Sequence, residues 1–209
     1  MTCIVGVTDG TEVVLGGDSA AISIETRELE VRANRKVFRR QGYVFGYTGS
    51  FRMGQILRYQ TRLPRPGADL ERFMATAFVD AVRKSFRRAG FHRRRDDGQE
   101  LGGPFLVGVA GRLFIILEDF QAAMPAHPFA AVGAGSGMAM GALHALAGYA
   151  DLTPAERARR ALTAAEACCW AVRRPFHLVG SPIASGPPPP APAATATAPA
   201  HSVRDKKIS

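Results

Sequence analysis

The order of β-rich and helical segments along the chain constrains its fold more than any other feature. Apolar runs rich in β-branched residues predict four strands at the start, at 2–8, 12–16, 28–38 and 42–48. Two helices, three more strands, two more helices and a closing strand follow. Two antiparallel sheets with helix pairs outside them would bury every apolar face of such a chain. We therefore predict an α+β fold, a four-layer αββα sandwich of two antiparallel sheets.

Turn and cap residues mark the ends of the first predicted elements. Asp9-Gly10 lies between the first two apolar runs, and this pair favours a tight hairpin turn because both residues tolerate positive φ. Ser50 is a typical N-cap residue and precedes a helix that we expect to end near Arg62, before a proline-containing segment. The chain is therefore predicted to begin with a hairpin.

Helical periodicity and a capping motif place the later helices. Apolar residues recur at helical spacing across 69–89, which predicts a long amphipathic helix. Thr153 and Glu156 match a capping box with proline at the first helical position, so that a helix begins there and runs to about Val172. The other predictions are turns at Gln41-Gly42 and Ala110-Gly111, a charged loop at 90–103, strands at 104–110, 112–118, 129–133 and 176–179, and a helix at 138–149.

Composition indicates one globular domain followed by a tail. Of the 209 residues, 46% are hydrophobic, enough for a core of its own. We place the domain at 1–182 and predict a disordered tail at 183–209, where proline, alanine and threonine dominate. No apolar run approaches the roughly 18 residues of a membrane span, and we expect a cytoplasmic protein. The three cysteines form no disulfide or metal-ligand pattern and are expected to be reduced core residues.

The net charge of +9 comes mainly from two arginine-rich stretches, 83–95 and 157–160. Such clusters are typical of nucleic-acid-binding proteins, and that function has to be considered. A solvated face, or a patch that meets an acidic partner, explains the same residues, and we disfavour nucleic-acid binding.

The second residue carries the strongest chemical signal in the sequence. Removal of Met1 would leave Thr2 with a hydroxyl and a free α-amine on the same residue. The reference pKa of an α-amine is about 7.7–8.0, so that near neutral pH much of it can accept the hydroxyl proton. Thr2 would then combine a nucleophile and a base.

Several short motifs, in the right order over about 2–180, resemble those of one enzyme family. The chain looks like a proteasome β subunit, and more closely like HslV, the peptidase subunit of a bacterial ATP-dependent protease. Both are N-terminal nucleophile hydrolases of peptidase family T1. The matching segments are Thr2-Cys3-Ile4-Val5-Gly6-Val7, Val13-Val14-Leu15-Gly16-Gly17-Asp18-Ser19, Arg35-Lys36-Val37-Phe38, Gly46-Tyr47-Thr48-Gly49-Ser50 and Ala131-Val132-Gly133-Ala134-Gly135-Ser136.

This resemblance implies a set of catalytic roles. Thr2 would be the nucleophile, and the Lys36 ammonium would favour the deprotonated state of the groups near it. Asp18 would hold Lys36 charged and oriented, and Ser19 would fix Asp18 or line the cleft. Gly49 would supply a backbone N–H as oxyanion donor, a role that suits a residue without Cβ.

The resemblance also implies partners, and the chain departs from the family pattern in the glycine-rich turn. It implies a homo-oligomeric ring of six or seven subunits, peptide or unfolded-protein substrates and an ATP-driven unfoldase, with no cofactor or metal. Family members usually carry a serine near the amine in the glycine-rich turn, where this chain has Ala134, with Ser136 two residues later. Tyr47 and Phe51 are candidates for a specificity pocket, and His144 and His177 are expected to pack.

Three alternatives to a threonine peptidase stay open at this point. The chain could be a catalytically silent ring or scaffold subunit, which Ala134 supports. It could be an N-terminal nucleophile amidohydrolase that acts on a small amide. The arginine clusters leave nucleic-acid binding as the third.

Overall fold

A computed structural model describes residues 2–23, 26, 28–91, 93–95, 98–100 and 102–181, with 93–95 and 98–100 described by backbone alone. The predicted tail at 183–209 lies outside these residues. The strands are β1 Cys3–Thr8, β2 Val13–Gly17, β3 Ala20–Ile22, β4 Leu29–Val31, β5 Val37–Arg40, β6 Tyr43–Tyr47, β7 Arg93–Arg95, β8 Gly98–Glu100, β9 Phe105–Val109, β10 Arg112–Ile116, β11 Ala122–Ala123, β12 Phe129–Gly133 and β13 His177–Gly180. The helices are α1 Phe51–Tyr59, α2 Leu70–Phe73, a π-helical turn Met74–Phe78, α3 Val79–Arg88, α4 Ser136–Leu146 and α5 Pro154–Cys168.

Two antiparallel sheets form the centre of the molecule. One has the strand order β12-β1-β2-β13 and the other β11-β10-β9-β6-β5. Helices α4 and α5 cover the four-stranded sheet, and α1 to α3 cover the five-stranded sheet. The predicted four-layer αββα sandwich is confirmed. Within the described residues, no helix is long and apolar enough to span a membrane.

Strand β1 shows why this arrangement suits the sequence. Cys3, Val5 and Val7 pack toward the helix layer, whereas Ile4 packs between the sheets. Because both faces of the strand are covered, its residues are apolar without alternation. The sheets also approach closely: a Cβ at Gly46 would lie 2.5 Å from the Ile4 Cγ2 methyl. Glycine at that position therefore sets the local distance between the two sheets.

Aromatic side chains fill the layer between the five-stranded sheet and its helices. Tyr43 stacks on Phe45 and on Phe78, with ring centroids 5.9 and 5.7 Å apart. The segment predicted as one helix at 69–89 begins with Asp69 as N-cap and is helical throughout, with a π-helical turn in the middle. That turn brings Phe78 onto the sheet.

Two strand predictions need correction. The predicted strand 28–38 is divided: β4 pairs with β3 in a separate hairpin, and β5 begins only at Val37. The polar residues at 32–35 are exposed, so that no sheet face holds them in an extended strand. The predicted loop at 90–103 contains the short hairpin β7-β8, and β11 was not predicted.

Helix ends and one cysteine also differ from prediction. Helix α5 ends at Cys168 rather than near Val172, because Cys169 has an extended backbone with φ −126° and ψ 113°. Helix α1 ends at Tyr59, three residues before the predicted end, and α4 spans Ser136–Leu146 instead of 138–149. Cys3 and Cys169 are buried free thiols, but Cys168 is exposed and not a core residue.

The capping box at the start of α5 is formed as predicted and can be tested. Thr153 Oγ1 accepts a hydrogen bond from Glu156 N at 3.2 Å, and Glu156 Oε2 accepts one from Thr153 N at 2.9 Å. Thr153→Ala should lower the free energy of unfolding by about 1 kcal/mol, measured by urea denaturation followed by circular dichroism.

Thr163→Ala is the matched control, since Thr163 is exposed in the same helix and donates only to Arg159 O. Its effect should stay within about 0.5 kcal/mol. Equal losses in the two variants would contradict a specific role for the cap.

Candidate active site

The ends of four strands bring the predicted site residues together at one edge of the sandwich. Thr2 directly precedes β1, and Asp18 directly follows β2, the antiparallel neighbour of β1. Lys36 directly precedes β5, and Gly49 lies two residues after β6, the antiparallel neighbour of β5. Two residues thus come from each sheet.

Lys36 links the two sheets through its ammonium group. Nζ donates to Thr2 Oγ1 at 2.7 Å, to Asp18 Oδ1 at 2.8 Å and to Ala20 O at 2.5 Å. The three residues whose side chains take part are buried: Thr2 is 3% exposed, and Asp18 and Lys36 are each 1% exposed. The ammonium therefore has an acceptor for each of its three protons, which a buried lysine requires.

Asp18 accepts hydrogen bonds at both of its oxygens. Asp18 Oδ1 accepts from Lys36 Nζ and also from Cys3 N at 3.0 Å. Asp18 Oδ2 accepts from Ala20 N at 2.9 Å and from Arg173 N at 3.4 Å. A buried ion pair is tolerated when such additional bonds offset its loss of hydration. Sequence reasoning missed the Ala20 carbonyl and the Arg173 amide, because backbone groups leave no trace in residue identity.

Burial and charge set the protonation of the groups around Thr2. Burial lowers the pKa of Lys36, and the negative charge of Asp18 opposes that shift. Burial, with the Asp18 charge as the next cause, raises the pKa of the Cys3 thiol to about 12. A thiol with this pKa is protonated at neutral pH and is a poor nucleophile. The neighbouring cysteine therefore does not compete with the Thr2 hydroxyl.

Gly49 has a left-handed backbone conformation at a point where a side chain would not fit. Its φ is +68°, and a Cβ at this residue would collide with the carbonyl oxygen of Gly102. The amides on either side are used internally: Thr48 N donates to Pro104 O at 3.2 Å and Ser50 N donates to Gly102 O at 3.1 Å. Among the residues that the structure describes, the Gly49 N–H has no acceptor. It can donate to a bound carbonyl oxygen.

The glycine-rich turn after β12 holds the backbone of Thr2. Gly135 N donates to Thr2 O at 3.4 Å. Gly133 has φ +98°, and a Cβ there would collide with the same carbonyl oxygen. Ala134 is exposed, and Ser136 is the first residue of α4. The turn therefore positions Thr2 through its main chain.

The other residues singled out in the sequence, Ser19, His144, Tyr47 and Phe51, contact parts of the chain other than Thr2, Asp18 and Lys36. Ser19 Oγ donates to Pro175 O at 2.7 Å, so that Ser19 holds the chain before β13 and its side chain makes no bond to Asp18. His144 is exposed, and its ring meets Phe129 edge to face with the ring centroids 5.0 Å apart. Tyr47 and Phe51 meet edge to face at 6.1 Å.

The fold defines a class: the chain has the HslV/proteasome-like fold of N-terminal nucleophile hydrolases. No protein-family model matches it. The ATP-dependent protease subunit HslV of Caldicellulosiruptor saccharolyticus is 27% identical over 172 residues, which cover 80% of this chain and 91% of that protein.

Two solved structures show the same fold. BPH of Thiobacillus denitrificans superposes with a TM-score of 0.74 at 18% identity, covering 88% of this chain and 100% of that one. HslV of Trypanosoma brucei superposes with a TM-score of 0.61 at 18% identity, covering 85% of this chain and 98% of that one.

The buried pair makes stability depend on pH in a testable way. Because burial lowers the pKa of Lys36 in the folded chain, unfolding takes up a proton between that pKa and about 10.4, and stability rises with pH in this window. Asp18→Asn removes the negative charge that opposes the lowering of the Lys36 pKa. The Lys36 pKa should therefore fall further, and the pH range over which stability rises should extend to lower pH. The loss relative to wild type should be about 3–5 kcal/mol near neutral pH and should shrink as the pH rises through this window.

Asp9→Asn is the control for this measurement, made by urea unfolding at several pH values. Asp9 Oδ1 accepts from Thr11 N and Glu12 N in an exposed turn, and the pKa of Asp9 is lowered, so that its charge is constant over this range. Its effect should not vary with pH. If the loss of unfolding free energy in Asp18→Asn were the same at every pH, Lys36 would not titrate as inferred.

Proposed function

We propose that the chain is a threonine peptidase of the HslV/proteasome type that cleaves peptide bonds with Thr2 as its N-terminal nucleophile. The main support for this proposal is the contact of 2.7 Å between Lys36 Nζ and Thr2 Oγ1. It belongs to a buried series of hydrogen bonds that continues from Lys36 to Asp18. A hydroxyl held against a buried ammonium is poised to lose its proton. The similarity to a subunit named as an ATP-dependent protease supports the same conclusion.

The reaction begins once Met1 has been removed and the Thr2 amine is free. Thr2 Oγ1 attacks the substrate carbonyl carbon while the amine accepts the hydroxyl proton, directly or through a water molecule. The Lys36 ammonium stabilises the negative charge that develops on Oγ1 and favours the neutral form of the nearby amine. Asp18 keeps Lys36 in place and charged.

The Gly49 N–H then stabilises the tetrahedral intermediate. The former carbonyl oxygen becomes an oxyanion, and one such backbone donor contributes about 3–4 kcal/mol to transition-state stability in comparable sites. The carbon–nitrogen bond breaks as the Thr2 amine returns its proton to the leaving amine. An ester on Thr2 remains, and water hydrolyses it with the same amine as base.

The proposal includes a homo-oligomeric ring and an ATP-driven unfoldase as partners. Exposed aromatic side chains support it, since Tyr59 and Trp170 are 70% and 54% exposed, and large exposed aromatics are typical of protein interfaces. Peptides and unfolded chains are the proposed substrates, because the site accepts a backbone carbonyl at a backbone amide.

Substitution of Thr2 tests the nucleophile. Thr2→Ala should lower the kcat/KM for fluorogenic peptides by about 10³-fold or more, whereas Thr2→Ser should keep measurable activity because it retains a hydroxyl and the amine. Thr163→Ala, on the outer helix layer, should behave like wild type. Activity that survives in Thr2→Ala would refute Thr2 as nucleophile.

The state of the first residue gives an independent test. The intact mass of the purified protein should lack Met1, and amino-terminal sequencing should begin at Thr2. A retained Met1 blocks the amine and would favour the silent-subunit alternative. A chain that begins at Thr2 and cleaves no peptide, but cleaves small amides in a Thr2-dependent way, would favour the amidohydrolase alternative.

A further inference from the structure

A cavity of about 580 Å³ opens directly beside Gly49. It lies between the β3-β4 hairpin and the start of α1, and its wall combines apolar and charged side chains. The apolar side chains that line it include Ile22, Leu29 and Phe51, and the charged ones are Glu28, Glu30 and Arg32. Its volume is within the range of small-ligand pockets and is large enough for a long side chain.

The position of the cavity identifies which substrate residue it can receive, and this step rests on the proposed function. The carbonyl oxygen that accepts from the Gly49 N–H belongs to the residue before the scissile bond. The side chain of that residue leaves from the carbon next to the carbonyl. It is therefore the substrate side chain closest to Gly49 and to the cavity beside it.

The described charged residues that line the cavity are two carboxylates, Glu28 and Glu30, and one guanidinium, Arg32. Arg32 Nε donates to Glu30 Oε2 at 2.7 Å, and the Arg32 guanidinium lies over the Phe51 ring, 4.8 Å from its centroid. This cation is thus paired and held against the wall. Glu28 accepts from the Thr26 hydroxyl at 3.1 Å, and no cation in the described part of the chain lies within ion-pair distance of it.

We propose that this cavity selects a cationic side chain, lysine or arginine, in the residue before the scissile bond, and that Glu28 is the specificity-determining residue. The methylene groups of a lysine would contact Leu29 and Ile22 while its ammonium pairs with the Glu28 carboxylate. A leucine would contact the apolar side but leave Glu28 unpaired. A glutamate would be repelled.

Tripeptide fluorogenic amides that differ only in the last residue test this inference on the full-length protein. The kcat/KM should fall in the order lysine, leucine, glutamate. Glu28→Gln should reduce the ratio of lysine to glutamate substrates by about fivefold, the effect expected for one partly exposed ion pair. Higher salt should reduce the ratio in wild type, because salt screens exposed charges.

Glu118→Gln is the matched control, since Glu118 is exposed and outside the cavity. It should leave the substrate ratio unchanged. A preference for leucine or glutamate, or a ratio that Glu28→Gln does not alter, would overturn the inference while Thr2-dependent cleavage kept the proposed function intact.

Binding separates this inference from the peptidase proposal. Labelled peptides that end in lysine, leucine or glutamate are titrated against Thr2→Ala by fluorescence anisotropy. Tighter binding of the lysine peptide, lost when Glu28→Gln is added to Thr2→Ala, supports the cavity preference. This holds even if the wild-type protein cleaves no peptide. Absence of cleavage would refute only the peptidase proposal. Equal binding of the three peptides overturns the preference.

Discussion

The burial of the Lys36 ammonium between the two sheets is the interaction on which the site depends. An unpaired ammonium in this environment would be too costly to keep, so that its three acceptors must all be in place when the chain folds. They come from the start of β1, the end of β2 and the start of β3. Formation of the sandwich and assembly of the site are thus the same event, because neither sheet alone can satisfy Lys36.

The spacing of the sheets controls the distance between Thr2 and Lys36. Gly46 lies between them, where a Cβ would be 2.5 Å from the Ile4 Cγ2 methyl and 3.2 Å from Val37 Cγ1. Ile4 is two residues from Thr2, and Val37 follows Lys36. A larger residue at this point would push apart the two strand ends that carry the Thr2 hydroxyl and the Lys36 ammonium. Core packing and site geometry are therefore coupled through small residues at the interface of the sheets.

The sequence predicts most of this arrangement and leaves out the parts made by the backbone. Apolar runs, turn glycines and the capping box at Thr153 identify the sandwich because each has a strong local pattern. The β3-β4 hairpin escaped prediction, because Leu29 and Val31 are exposed, at 37% and 51%, and resemble a continuation of the next strand. The spacing of Thr2, Asp18 and Lys36 indicates a site only through the family resemblance, since their proximity depends on long-range strand pairing.

Charge is distributed so that the site and the cavity act on different parts of a substrate. The Lys36 ammonium is buried beside the Thr2 hydroxyl and is paired with Asp18, whereas Glu28 lies at the wall of the cavity and has no ion-pair partner among the described residues. We propose that a cationic substrate side chain pairs with Glu28, because the Asp18 carboxylate near Thr2 is already paired with Lys36. Such a side chain would be directed into the cavity and away from Thr2, so that the carbonyl group, and not the side chain, meets the nucleophile.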